Sequence, residues 1–90
     1  MMRVEVEILC APRPRQEIVS ALEAAGRKLA CRADSVSVDV REGERLTALL
    51  EFEMRRAAQY KVVDRIWNEV KFWTQDFRED ICVRFPKDQG

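Results

Sequence analysis

The chain has 90 residues, with 16 lysines and arginines balanced by 16 aspartates and glutamates, and it contains no histidine. This length suits one domain with a single two-layer core, and the apolar content is that of a globular chain, not a disordered one. Balanced charge argues against broad binding to nucleic acid or acidic membrane surfaces, and the missing histidine removes imidazole acid–base chemistry.

Charged and apolar residues alternate from the first residues onward, so no apolar leader core is expected. No run approaches the roughly 20 apolar residues of a membrane span. Cys10, Cys31 and Cys82 are odd in number and far apart, with no CxxC pair. Three reduced thiols in a cytoplasmic protein are expected, with no metal knuckle and no disulfide framework.

Residues 3–10 place Val4, Val6, Ile8 and Cys10 on one face and Arg3, Glu5, Glu7 and Leu9 on the other. This period of two predicts a half-buried strand, stopped by Ala11-Pro12-Arg13-Pro14. From Arg15 to Cys31 the period becomes helical, with Ile18, Leu22, Ala25 and Leu29 on one stripe and Pro14 suited to the first turn. Gly26 inside this helix counts as a weakness of roughly 1 kcal/mol against alanine.

Residues 35–40 alternate again, with Val36, Val38 and Val40 inward. The polar segment 41–45 contains Gly43 and reads as a hairpin loop. Residues 46–54 form the next strand, with Leu46, Ala48, Leu50, Phe52 and Met54 inward and Thr47, Leu49, Glu51 and Glu53 outward. A second helix is predicted over 57–77, its stripe made by Val63, Ile66, Val70, Trp73 and Phe77, with Tyr60 and Trp67 on one shoulder and Val62 on the other. A short strand over 80–85, with Ile81, Val83 and Phe85 on one face, precedes a polar tail over 86–90.

The order is therefore β-α-β-β-α-β. One apolar face per strand and one stripe per helix predict an α+β two-layer sandwich, a four-stranded antiparallel sheet with both helices on one face. Right-handed crossovers give the ferredoxin-like strand order 4-1-3-2 within one domain over 1–90.

This topology leaves one sheet face open. Its centre carries Glu5, Glu7, Glu51 and Glu53 and no aromatic residue, which argues against stacking of single-stranded RNA there. The period-two acids read as a solvated face, not as a metal site. Leu9 and Leu49 point outward on adjacent central strands and are candidate interface residues. Phe72 falls nearly opposite the buried face of the second helix and is a third candidate contact.

One loop end gathers Arg13, Arg15, Arg41, Arg45 and Arg78 among several acids. Arg13 and Arg15, beside the start of the first helix, are the candidate ligands for a small anion. The opposite end carries Arg32, Arg55, Arg56 and Lys87. Serines in a helix and on a strand offer no strained nucleophile, so any catalytic reading falls to Cys10, with Glu5, Glu7 and Arg84 in a cleft formed between subunits.

The pattern of elements resembles ferredoxin-like families over nearly the whole chain, and ACT-type regulatory modules in particular. ACT modules usually place a glycine in the loop after the first strand, where this chain has Ala11-Pro12-Arg13-Pro14. The glycine loop of acylphosphatases and the CxxC of heavy-metal-associated domains are absent. The open sheet, its two edge strands, the neutral mixed surface and Leu9, Leu49 and Phe72 lead to the expectation of a non-catalytic, homo-oligomeric binding or regulatory module that engages a protein partner or a small anionic ligand, similar to regulatory modules of this fold. No cofactor, nucleic-acid or membrane partner is expected. The alternative is a small enzyme whose site forms at a subunit interface.

Overall fold

Strict alternation at the N-terminus becomes a strand, β1, Met2–Leu9, in a computed structural model that describes residues 1–76 and 79–86. The chain then runs through α1 (Arg15–Leu29), a 3-10 turn (Ala33–Ser35), β2 (Ser37–Glu42), β3 (Leu46–Met54), α2 (Gln59–Val70), a second 3-10 turn (Lys71–Trp73) and β4 (Ile81–Arg84). The strands form one antiparallel sheet in the order β2-β3-β1-β4, which is 4-1-3-2 read from the other edge. The chain is an α+β sandwich of ferredoxin-like βαββαβ arrangement.

Val4, Val6 and Ile8 of β1 and Ala48, Leu50 and Phe52 of β3 are fully or almost fully buried. They meet Ile18, Leu22 and Leu29 of α1 and Val62, Ile66 and Val70 of α2. Fully burying one such side chain stabilises the fold by about 1.5–3 kcal/mol, so this layer dominates stability. α1 starts at Pro14 without a side-chain cap; the Pro14 carbonyl accepts from the N–H groups of Glu17 and Ile18. At its far end, the Ala30 N–H donates to the Gly26 carbonyl at 2.7 Å and the Cys31 N–H to the Glu53 carbonyl at 2.9 Å. The helix exit is thereby tied to β3.

Two boundaries and the burial pattern of α2 differ from the periodicity. β2 begins at Ser37 because Ser35 caps the preceding turn: its hydroxyl donates to the Arg32 carbonyl and accepts from the Glu53 N–H. α2 ends at Val70, not near Phe77, because the chain turns to pair Thr74 with Cys10 across an antiparallel bridge. In α2, Val62 is buried while Val63 is half-buried, and Tyr60 stands 73 % exposed instead of lying on a core shoulder. Phe77, Arg78 and the 87–90 part of the tail lie outside the described residues. Among the described residues, no helix is long and apolar enough to cross a membrane.

Candidate functional site

The end of β1 is held from three sides. Leu9 N–H donates to the Asp80 carbonyl, Cys10 N–H to the Leu46 carbonyl and Ala11 N–H to the Trp73 carbonyl, all at 2.8–2.9 Å. These bonds fasten the segment after the strand to the hairpin and to the segment before β4. Beside them lies a hollow of about 250 Å³ lined by Leu9, Cys10, Pro12, Glu44, Arg45, Leu46 and Gln75. Its lining mixes apolar side chains with one arginine, one glutamate and one glutamine. Two smaller hollows continue it onto the open sheet face. One, of about 170 Å³, shares Leu9 and adds Thr47, Asp80 and Cys82; the other, of about 130 Å³, shares Thr47 and adds Asp39, Arg41 and Leu49.

The guanidinium carbon of Arg13 lies 4.9 Å from the centre of the Phe72 ring and 5.1 Å from that of Trp73. The two rings meet edge to face at 5.7 Å. Arg13 and Phe72, which the sequence offers as separate candidates, are therefore one cluster. A cation within about 6 Å of a ring centroid is attracted by the ring quadrupole. The second 3-10 turn positions both rings, because it breaks the helical phase after Val70. Phe72 nonetheless stays 67 % exposed. Arg15 is exposed on the first turn of α1 and makes no hydrogen bond or ion pair among the described residues. The arginine that lines the hollow is Arg45, one of the five that the sequence gathers at this loop end, and not Arg13 or Arg15.

Leu9 and Leu49 are both half-buried on the open face. Leu9 stands opposite Thr47 and Leu49 opposite Glu7, so the leucines are diagonal neighbours across the β1–β3 ladder. Around them the acids are compensated. Glu5 faces Glu51 directly, an unfavourable cross-strand pair. Arg84 offsets it from one side, 3.3 Å from Glu5 and 3.8 Å from Glu7, and Arg3 from the other, 3.1 Å from Glu51. The hydrogen bond to Glu5 pushes the Arg84 guanidinium further toward its charged form. The centre of the sheet is thus an ion-paired surface, not a bare acidic one. Among the described residues, no group of three or more histidine, cysteine or acidic side chains gathers to hold a metal.

Cys10 is buried, with its Sγ 3.8 Å from the Ile8 carbonyl oxygen, and burial pushes its thiol up to about 11. A nucleophilic cysteine needs the opposite shift. Cys31 and Cys82 are free and exposed. At the other end of the molecule, a hollow of about 310 Å³ is lined by Leu29, Ala30, Cys31, Met54, Arg55 and Arg65. Of the basic residues expected there, Arg32 is paired with Asp34 at 3.0 Å and Lys87 lies outside the described residues.

No family model matches the chain, and no curated protein matches it.

Proposed function

We propose that the chain is a non-catalytic binding module that works as a homo-oligomer and takes a small anionic ligand. The observation that carries this is the hollow beside the end of β1, where Arg45 lines a concave surface together with Leu9, Pro12 and Leu46. Small-molecule sites are concave, with a few polar groups that fix the ligand's orientation. The Arg13–Phe72–Trp73 cluster buttresses the neighbouring loop. The raised pKa of Cys10 supports a binding role over a thiol-based one. The arrangement is ACT-like at the level of fold. A reducing, cytoplasmic setting goes with it, because Cys31 and Cys82 are exposed thiols.

Thermal unfolding in the presence of small aliphatic and aromatic carboxylates and of inorganic phosphate tests this reading. A ligand at ten times its Kd stabilises the fold by about 1.4 kcal/mol, which raises Tm by roughly 5 °C or more for a domain of this size. Arg45→Gln should abolish the shift. No shift with any probe, or the same shift in Arg45→Gln, would refute the assignment.

A further inference from the structure

The backbone of β3 assigns a direction to every residue of β2. Both polar groups of Glu53 point to the β2 side, where its N–H meets the Ser35 hydroxyl and its carbonyl the Cys31 N–H. The Leu46 carbonyl points the other way, to Cys10 of the β1 chain. Backbone direction alternates along a strand, so Glu51, Leu49 and Thr47 bond toward β2. Their partners are Ser37, Asp39 and Arg41. Val38, Val40 and Glu42 therefore turn their N–H and C=O groups off the edge of the sheet, where no other strand lies among the described residues.

An open edge of this kind is a template for another strand. Its side chains select the partner. Asp39 and Arg41 stand on the open face with Val40 between them, and within one chain the Arg41 Nε already reaches the Asp39 Oδ2 at 3.2 Å. We propose that a second copy of this chain pairs antiparallel along β2, about a two-fold axis at Val40. Each Val40 then exchanges N–H and C=O with its symmetry mate, and each Val38 with the Glu42 of the other copy. Asp39 of each copy faces Arg41 of the other at a non-hydrogen-bonded position, where cross-strand side chains approach most closely. Slipping the register by two residues in either direction sets Asp39 against Asp39 or Arg41 against Arg41. The charge pattern thus favours one register and penalises its neighbours.

The helix layer agrees with this edge. The Cα of Gly26 faces Val36, and Val19 lies two turns earlier on the same side of α1. Val19, Val36 and Val38 are half-buried apolar residues packed against the core, and a second copy at β2 would cover this flank. The opposite edge is less suited: β4 spans 4 residues and is followed by Phe85 and Pro86, and proline has no N–H for a ladder. Pairing at β2 leaves the ligand hollow beside Pro12 and Arg45 to each copy.

This interface rests on the homo-oligomeric part of the proposed function, and one set of measurements separates the two. Sedimentation velocity over a dilution series should show the wild-type chain associating above its 10.5 kDa monomer mass. Asp39→Arg and Arg41→Asp each place like charges at both symmetric contacts and should each weaken self-association by at least about tenfold. Mixed in equal amounts, the two variants should associate again, because every facing pair then has opposite sign. Far-UV circular dichroism of each variant confirms that its fold is intact. An oligomer whose affinity is unchanged in both variants, or variants that do not recover on mixing, would overturn the β2 interface while leaving homo-oligomerisation standing. A wild-type chain that stays monomeric at millimolar concentration would overturn both.

Discussion

Replacing Gly26 by alanine tests how α1 is seated on the sheet. In an open helix the change stabilises by about 1 kcal/mol, because glycine gives up more backbone freedom on folding. Here an added Cβ would stand 2.7 Å from Val36 Cγ1 and 3.0 Å from Leu50 Cδ1. Neither atom retreats cheaply, since Val36 is stiff at χ1 and Leu50 is fully buried between the helices and the sheet. Overpacking of this sort costs about 1–3 kcal/mol. The net expectation is a loss of about 1 kcal/mol, or a Tm lower by roughly 4–8 °C. Urea unfolding with linear extrapolation reads the free energy directly. A double-mutant cycle localises its cause: Val36→Ala removes the closest methyl group, so Gly26→Ala should be neutral or stabilising in that background. A Gly26→Ala chain that is more stable than wild type on its own would refute the close approach.

Other side chains give separate tests. Burial of Cys10 predicts that iodoacetamide labels Cys31 and Cys82 in the folded protein and reaches Cys10 only on unfolding; rapid labelling of all three would contradict the seating of β1. The same thiol makes stability fall with alkali. The folded thiol keeps its proton where the unfolded one has lost it, so its contribution is complete below pH 9.0 and is lost as pH rises toward about 11. The loss is on the order of 2–3 kcal/mol, and Cys10→Ala should remove this part of the pH dependence of chemical unfolding. Arg13→Ala and Phe72→Ala should show a coupling of about 0.5–1 kcal/mol in a double-mutant cycle, and zero coupling would dismiss the stacking. Arg84→Gln should lower Tm in dilute buffer, with the difference shrinking in high salt as Glu5 and Glu7 are screened. An equal drop at both ionic strengths would point to lost packing instead of lost charge.

What could be read from the chain follows from which forces are local. β1 and β3 alternate strictly, and nothing else in the fold competes with that pattern, so the strands and their inward residues agree with the periodicity. The strand order also follows, because short connections and handed crossovers leave few alternatives. Boundaries failed where one residue acts on a distant strand. Ser35 reads as a strand residue by alternation, yet its hydroxyl serves the Arg32 carbonyl and the N–H of Glu53. Trp73 continues the helical stripe of α2 in phase, yet its carbonyl is taken by Ala11 and its neighbour Thr74 pairs with Cys10. Arg13 and Phe72 were each visible as unusual, but their stacking depends on that early helix end. Arg45 stood out only as one of several arginines at that loop end, because a hollow made by a hairpin, a loop and a strand end has no periodicity of its own.

Gly26 and the β2 edge are two consequences of one arrangement. The sequence marks Gly26 as a fault in α1, and the structure makes it the place where the helix comes down on Val36 and Leu50. That approach brings α1 over β2, and it covers the inward face of an edge strand that has no second neighbour among the described residues. Val40 is accordingly 4 % exposed although its backbone groups face outward. A seated, well-buried edge strand presents its ladder in a fixed geometry, at little further ordering cost to a partner. A frayed edge would lose that advantage. Loosening α1 should therefore weaken self-association as well as stability. Gly26→Ala, studied at a temperature where the chain remains folded, should raise the dimer dissociation constant. Val36→Ala in the same chain should recover part of it through relief of the clash. Unchanged association in a measurably destabilised Gly26→Ala chain would separate the two properties and place the interface away from β2.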